Sequence, residues 1–195
     1  GKEVSWPNNA RLALQLVLNY EEGGENCILN GDKYSETFLS EIIGANAIKG
    51  RNISMESIYE YGSRAGFWRL DRLFREKKIP VTIFGVGLAL KQNPEICEAI
   101  KKGNYEVAAH GYRWIDYQNT KKSVEKKHMQ EAIKTIKSIF GSRPYGWYTG
   151  RCSPNTRDLV IEEGGFLYDS DSYSDDLPYW EYRNKKKQLI IPYTL

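Results

Sequence analysis

Six short apolar runs recur along the chain, each separated from the next by a polar or helix-patterned stretch. RLALQLVLNY at 11–20 comes first, and its near-continuous apolarity predicts a strand buried on both faces. VTIFGVG (81–87), YEVAAHG (105–111), YGWYTG (145–150), GFLYDSD (165–171) and LIIPYTL (189–195) continue the series. The gaps predict helices. In 63–78, Phe67, Leu70, Leu73 and Phe74 repeat at helical spacing behind Ser63, the expected N-cap. A second helix is predicted over 93–103, with Pro94 in its first turn and Gly103 at its end. A third spans 121–141, where Val124, Met129, Ala132, Ile133, Ile136 and Phe140 form a stripe closed by Gly141. The last covers 153–165, capped at Ser153 or Asn155 and ended by Gly164. The stretch 21–58 reads as an elaborated loop with a short helix over 34–44. Strands alternating with helices predict an α/β fold built on a parallel sheet or barrel.

Composition adds bounds. The 195 residues suit a single domain over 1–195 with a sizeable core. A net charge of +3, spread along the chain, gives no nucleic-acid footprint. The basic run at 183–187 is expected to be a solvated loop. Three widely spaced cysteines, Cys27, Cys97 and Cys152, make neither a disulfide framework nor a zinc knuckle and fit a reducing compartment. No apolar run reaches membrane-span length and the N-terminus has no hydrophobic signal core. The expectation is a cytoplasmic protein with no membrane partner. The Gly85–Gly87 pair lacks its third glycine, Leu90 standing there, so dinucleotide binding is rejected.

The chemistry lies where the apolar runs end. The first ends in Glu21-Glu22, the third in His110-Gly111, the fourth runs into Arg151, and the fifth ends in Asp169-Ser170-Asp171. In parallel barrels those strand ends share one face, which carries the active site. Glu21, Glu22, His110, Arg151 and Asp171 are therefore expected to converge. In extended backbone Glu21 and Glu22 diverge, so one of them faces the site. His128 belongs to a helix stripe and reads as structural. Trp114, Tyr117, Trp147, Tyr148, Tyr179 and Trp180 either cover the core or wall a flat substrate or sugar ring.

NYEEGGEN, MESIYEYGSRAGFWRL, AAHGYRWIDY, GWYTGRCSPNTRDL and YDSDSYSDDLPYW together resemble the polysaccharide deacetylase superfamily, and most of all its cofactor-independent allantoinase branch of purine-catabolism type. The resemblance implies an irregular (β/α) barrel of seven or eight units and a hydrolase acting on non-peptide C–N bonds. Metal-dependent members carry two Asp after the first strand and a His-x-x-x-His pair after the third. This chain has Glu21-Glu22 and, in place of the second histidine, Trp114. A site without metal or other cofactor is the reading that follows, with Trp114 closing the vacant ligand position and His110 kept for proton transfer or substrate polarisation. Arg151 resembles the family's third-motif arginine, and Asp175 and Asp176 resemble the carboxylates of its fourth. Tyr59, Glu60 and Arg64 lie in another dense family motif and are expected at the substrate pocket.

The family continues past its sixth strand to a further histidine motif. The chain is therefore expected to form a barrel truncated after about six strands, with an open edge and homo-oligomerisation as the consequence. The expected reaction opens a cyclic amide or ureide such as allantoin. Glu21 or Glu22 serves as base, His110 as acid or oxyanion donor and Arg151 as a charged fork. Ser153, Asn155, Asp175, Asp176, Trp114 and Tyr179 join the expected substrate contacts. A metal-dependent N-deacetylase of amino sugars and a non-catalytic remnant are the alternatives.

Overall fold

A computed structural model describes residues 4–194. Leu195, the end of the last expected strand, and residues 1–3 of the polar N-terminus lie outside the described residues. Seven strands form one sheet: β1 (Leu16–Tyr20), β2 (Val81–Gly85), β3 (Glu106–Ala109), β4 (Gly146–Trp147), β5 (Tyr168–Asp169), β6 (Tyr179–Arg183) and β7 (Lys186–Ile190), in the order β1-β2-β3-β4-β5-β7-β6. All neighbours pair in parallel except the β6–β7 hairpin. Among the described residues β1 pairs only with β2 and β6 only with β7, so the sheet is not closed. Six α-helices cover it: α1 (Ile53–Tyr61), α2 (Phe67–Lys77), α3 (Gly87–Gln92), α4 (Pro94–Gly103), α5 (Lys122–Phe140) and α6 (Thr156–Glu163).

Strand alternation sorts the side chains into two cores. On the helix-covered face Leu16, Leu18, Ile83, Val107, Ala109 and Trp147 pack beneath Ile96, Ile100, Met129, Ala132, Ile136 and Leu159. On the inner face Val17, Phe84, Ala108, Tyr148, Tyr168, Leu189, Ile191 and Tyr193 pack together. Period two therefore places Asn19 and Glu21 with Val17, and Tyr20 and Glu22 with Leu18.

Several elements depart from expectation. Residues 11–15 are unpaired, and the strand begins at Leu16. No helix forms over 34–44. Side chains there bond to backbone instead: Glu36 accepts from the N–H of Thr37 and Phe38 at 2.9 and 3.0 Å, and Thr37 donates to the Ala45 carbonyl at 2.8 Å. Such local bonds compete with helix. A backbone bridge between Ser35 and Ile48 folds the segment into a loop instead. Ser63 is not an N-cap. The helix starts ten residues earlier, where Asn52 accepts from the Met55 N–H at 3.3 Å, and passes through a wider π turn at 62–66 into α2. Ser63 inside it donates to the Glu60 carbonyl.

The apolar pattern ending at Gly87 concealed α3, which is one short helix with few sequence positions to show a period. The basic run at 183–187 is a hairpin, and Asn184 and Lys185 take positive φ of 49° and 62° in its two-residue turn. Its Lys186 and Lys187 are exposed, as expected. No described helix is long and apolar enough to cross a membrane.

Candidate active site

The exits of β1 and β3 meet. His110, immediately after β3, is 2% exposed, and its Nε2 lies 3.0 Å from Glu21 Oε1. Its Nδ1 lies 3.0 Å from the backbone oxygen of Tyr148. A carbonyl only accepts, so Nδ1 carries a proton. The Nε2–Glu21 contact then holds one further proton between an imidazole and a carboxylate. Gly111 follows with φ +67°, and this left-handed residue turns the chain off the strand directly behind the imidazole. The Tyr148 ring lies 4.9 Å from the His110 ring and stacks on Tyr193 at 4.8 Å and 9°. These aromatic rings give the pair a rigid apolar floor.

The charges of Glu21 and Arg151 both act on Tyr59, and Arg151 is a cation on an aromatic bed. The Arg151 guanidinium stands 4.2 Å from the Trp114 ring centre and 5.1 Å from that of Phe38. Its Nη1 reaches Glu36 Oε2 at 3.3 Å. Trp114 meets Tyr59 edge-on at 6.0 Å. The Tyr59 hydroxyl is buried without a hydrogen-bond partner among the described residues, at a desolvation cost of about 1–3 kcal/mol. Burial, then the charges of Glu36, Glu25 and Glu21, push its ionisation upward.

Two braces hold this mouth. Arg113 donates to the carbonyls of Gly24 and Glu25 at 3.1 and 3.0 Å and pairs with Asp32 at 2.5 Å, which fastens the 21–32 loop to the β3 exit. Asp171 accepts from the N–H groups of Thr149 and Gly150, each at 2.8 Å, and so fixes the loop that presents Arg151. Below it Arg157 pairs with Asp169 and reaches Glu181 at 3.2 Å. Burial and Asp171 raise the Asp169 carboxyl above its usual range, against the pull of Arg157.

The remaining expected site residues lie elsewhere. Glu22 points away from His110, accepts from the Glu21 N–H at 3.1 Å and presses on Gly62, where an added Cβ would lie 1.8 Å from its Oε1. Burial pushes this carboxyl up to about 7. It lines a cavity of about 310 Å³ with Glu25, Tyr59 and Glu60. Glu60 and Arg64 form a solvent-exposed pair on one helix face at 3.1 Å.

Ser153 donates to buried Glu125 at 2.5 Å and accepts from the Asn155 N–H at 2.9 Å, so its hydroxyl is used in starting α6. The Asn155 side chain makes no cap bond of its own. Asp175 and Asp176 are exposed in the 170–178 loop, where Asp175 accepts from the Leu177 N–H. Tyr179 and Trp180 belong to β6, and the Tyr179 hydroxyl bonds Ser172 at 2.9 Å. His128 has a structural partner, its Nδ1 lying 2.9 Å from the Tyr117 hydroxyl. Glu36, Phe38, Arg113 and Glu25 were missed. All four act across loops with no periodic pattern, and Glu36 meets a residue 115 positions away.

The donor set does not fit a divalent cation. Among the described residues no three His, Cys, Asp or Glu side chains gather as a ligand group. The His110 Nε2 is taken by Glu21, Asp171 is filled by backbone donors, and the cationic Arg151 stands over Trp114. Catalytic zinc needs about three protein ligands.

A polysaccharide deacetylase family model matches residues 49–162, more than half of the chain. The chain belongs to the polysaccharide deacetylase family. A Schizosaccharomyces pombe protein carrying a polysaccharide deacetylase name is 41% identical over 217 residues, covering 100% of this chain and 68% of that protein. Two crystal structures match at TM-score 0.93 and 57% identity over 97% of this chain, one of a Pseudomonas aeruginosa PAO1 protein named as a polysaccharide deacetylase and one of PuuE allantoinase. The chain spans 64% of the length of each. This polysaccharide deacetylase chain also shares its fold with a Mycobacterium smegmatis structure, at TM-score 0.79 and 23% identity. The α/β fold with a parallel-rich sheet expected from the sequence is thus the family's own, and over the described residues that sheet is open.

Proposed function

We propose that this site hydrolyses a non-peptide C–N bond, opening a cyclic amide or ureide such as allantoin without a metal. The observation that carries the reading is the Glu21–His110 contact at 3.0 Å, and the Arg151 fork bedded on Trp114 supports it. The 57% identity to PuuE allantoinase supports the substrate class.

The chemistry follows from the protons. The proton held between His110 Nε2 and Glu21 Oε1 occupies that oxygen, which leaves Glu21 Oε2 to act as base. Glu21 Oε2 takes a proton from water as the water oxygen bonds to the carbonyl carbon. The carbonyl oxygen becomes an oxyanion facing the guanidinium of Arg151, whose fixed charge stabilises it without reorganisation. Glu21 then gives the proton to the departing nitrogen as the C–N bond breaks, leaving a carboxylic acid and an N–H. His110 touches no reacting atom in this scheme, because both of its nitrogens are engaged. It is a positioning residue that orients Glu21. Trp114 and Phe38 hold Arg151 in place.

The test is a side-by-side assay of the purified protein on allantoin and on chito-oligosaccharides, before and after exhaustive chelation, with elemental analysis. The expected result is ureide hydrolysis that changes less than about twofold on chelation. Near-stoichiometric zinc that disappears in His110→Ala, together with release of acetate from the sugars, would replace this reading with metal-dependent deacetylation.

A further inference from the structure

Asn19 interrupts the apolar run of β1, and its amide oxygen is buried with no hydrogen-bond partner. Asparagine is disfavoured in strands, and an orphaned buried acceptor calls for a reason. Its place supplies one. Alternation puts Asn19 on the inner face with Val17 before it and Glu21 after it. Its register partner on β2 is Phe84, whose ring packs with Tyr148, 6.5 Å from the ring of His110. The neighbours below are apolar, and Glu21 above is already engaged by the imidazole. Among the described residues no donor reaches this oxygen. The Tyr59 hydroxyl near Glu21 is orphaned in the same way.

Resting on the C–N hydrolase reading, we infer that Asn19 is a further substrate-binding residue, whose amide oxygen accepts an N–H from the ureide or amide group opened at Glu21. Amides and ureides present N–H donors beside the reacting carbonyl, and esters do not. Asn19 therefore selects for nitrogen on the substrate, while Arg151 addresses the carbonyl. A site built to take an N–H rejects an analogue lacking it, because the acceptor is left unpaired.

The experiment compares wild type with Asn19→Leu, and with Asn19→Val as a second strand-compatible replacement. The ligands are hydantoin and its derivatives methylated at each ring nitrogen. Calorimetric affinity, kcat/KM on allantoin and Tm are read for each protein. Wild type is expected to bind hydantoin at least about tenfold more tightly than the derivative methylated at the recognised nitrogen. Both variants are expected to lose that preference and about 10- to 100-fold in kcat/KM, with Tm unchanged or raised because an unpaired polar group has gone. Retention of the N-methyl discrimination in either variant, or kcat/KM within about threefold of wild type, overturns the role of Asn19 and leaves the hydrolase reading standing. A fall in Tm that accounts for the lost activity, with discrimination intact, marks Asn19 as structural and also overturns it. Wild-type protein that neither binds nor opens any ureide removes the ureide reading itself and this inference with it.

Discussion

Glu21 and Glu22 are adjacent, chemically identical and at the same strand exit, and they occupy different worlds. Glu21 faces the inner surface of the sheet and meets an imidazole at 3.0 Å. Glu22 faces the helices, where its carboxyl rests on Gly62 and its ionisation is pushed up to about 7 by burial. One has a hydrogen-bonded partner across the sheet, and the other has surroundings that oppose its ionisation. A carboxylate paired at an open mouth is suited to moving protons to and from substrate. A carboxyl buried beneath a helix joint costs stability whenever it ionises. Side-chain identity thus says little about role until the face of the strand is known.

The largest expected effect breaks the inner half of the comparison. Glu21→Gln keeps the shape and removes the base, so kcat/KM on allantoin is expected to fall about 10³-fold or more while Tm stays near wild type. Steady-state kinetics with a thermal melt decide it. A loss below tenfold would take proton transfer away from Glu21.

Arg151 comes next. Arg151→Ala is expected to lower kcat/KM about 10²- to 10³-fold, in the range measured for removing one oxyanion donor. Arg151→Lys should recover little, because an ammonium cannot reproduce a flat fork stacked on Trp114. Full recovery with lysine would reduce Arg151 to a source of bulk positive charge.

The smallest effect sharpens the outer half. With its ionisation raised above the ordinary 4.5, Glu22 favours the folded state in its protonated form. Its contribution is intact below about 4.5, is lost as pH climbs toward about 7, and is level above that. Glu22→Gln abolishes this loss, so it should be roughly 1–3 kcal/mol more stable than wild type at pH 8 and nearly equal at pH 4.5. Its kcat/KM should stay within about threefold of wild type. Denaturant titrations at both pH values measure the first, and kinetics the second. A pH-independent difference would show that Glu22 does not titrate across folding.

The legibility of the protein follows the same division. Apolar runs overlapped six of the seven strands, the last of them only at Leu189 and Ile190, because the strand positions that pack into the two cores are apolar. The helix ends at Gly141 and Gly164 were visible, since left-handed caps favour glycine. The hairpin strand β6 was not visible, as its burial is slight and its residues are mostly polar or aromatic. The helix expected over 34–44 had a suitable apolar spacing, yet Glu36 and Thr37 bind local backbone and remove it. Ser153 looked like a hydroxyl for substrate, but buried Glu125, distant in sequence, claims it.

By itself the sequence determined the strand exits that bear chemistry and the fact that Glu21 and Glu22 must diverge, because side chains alternate across any strand. It also determined the absence of the second histidine at Trp114. Only the tertiary structure decided which glutamate meets His110, since that depends on which face of β1 the helices cover. Only the tertiary structure, too, brought Glu36 and Phe38 to Arg151 and left the Asn19 oxygen without a partner. Those contacts join segments far apart along the chain, and nothing in local spacing encodes which distant side chain fills a given volume or fails to.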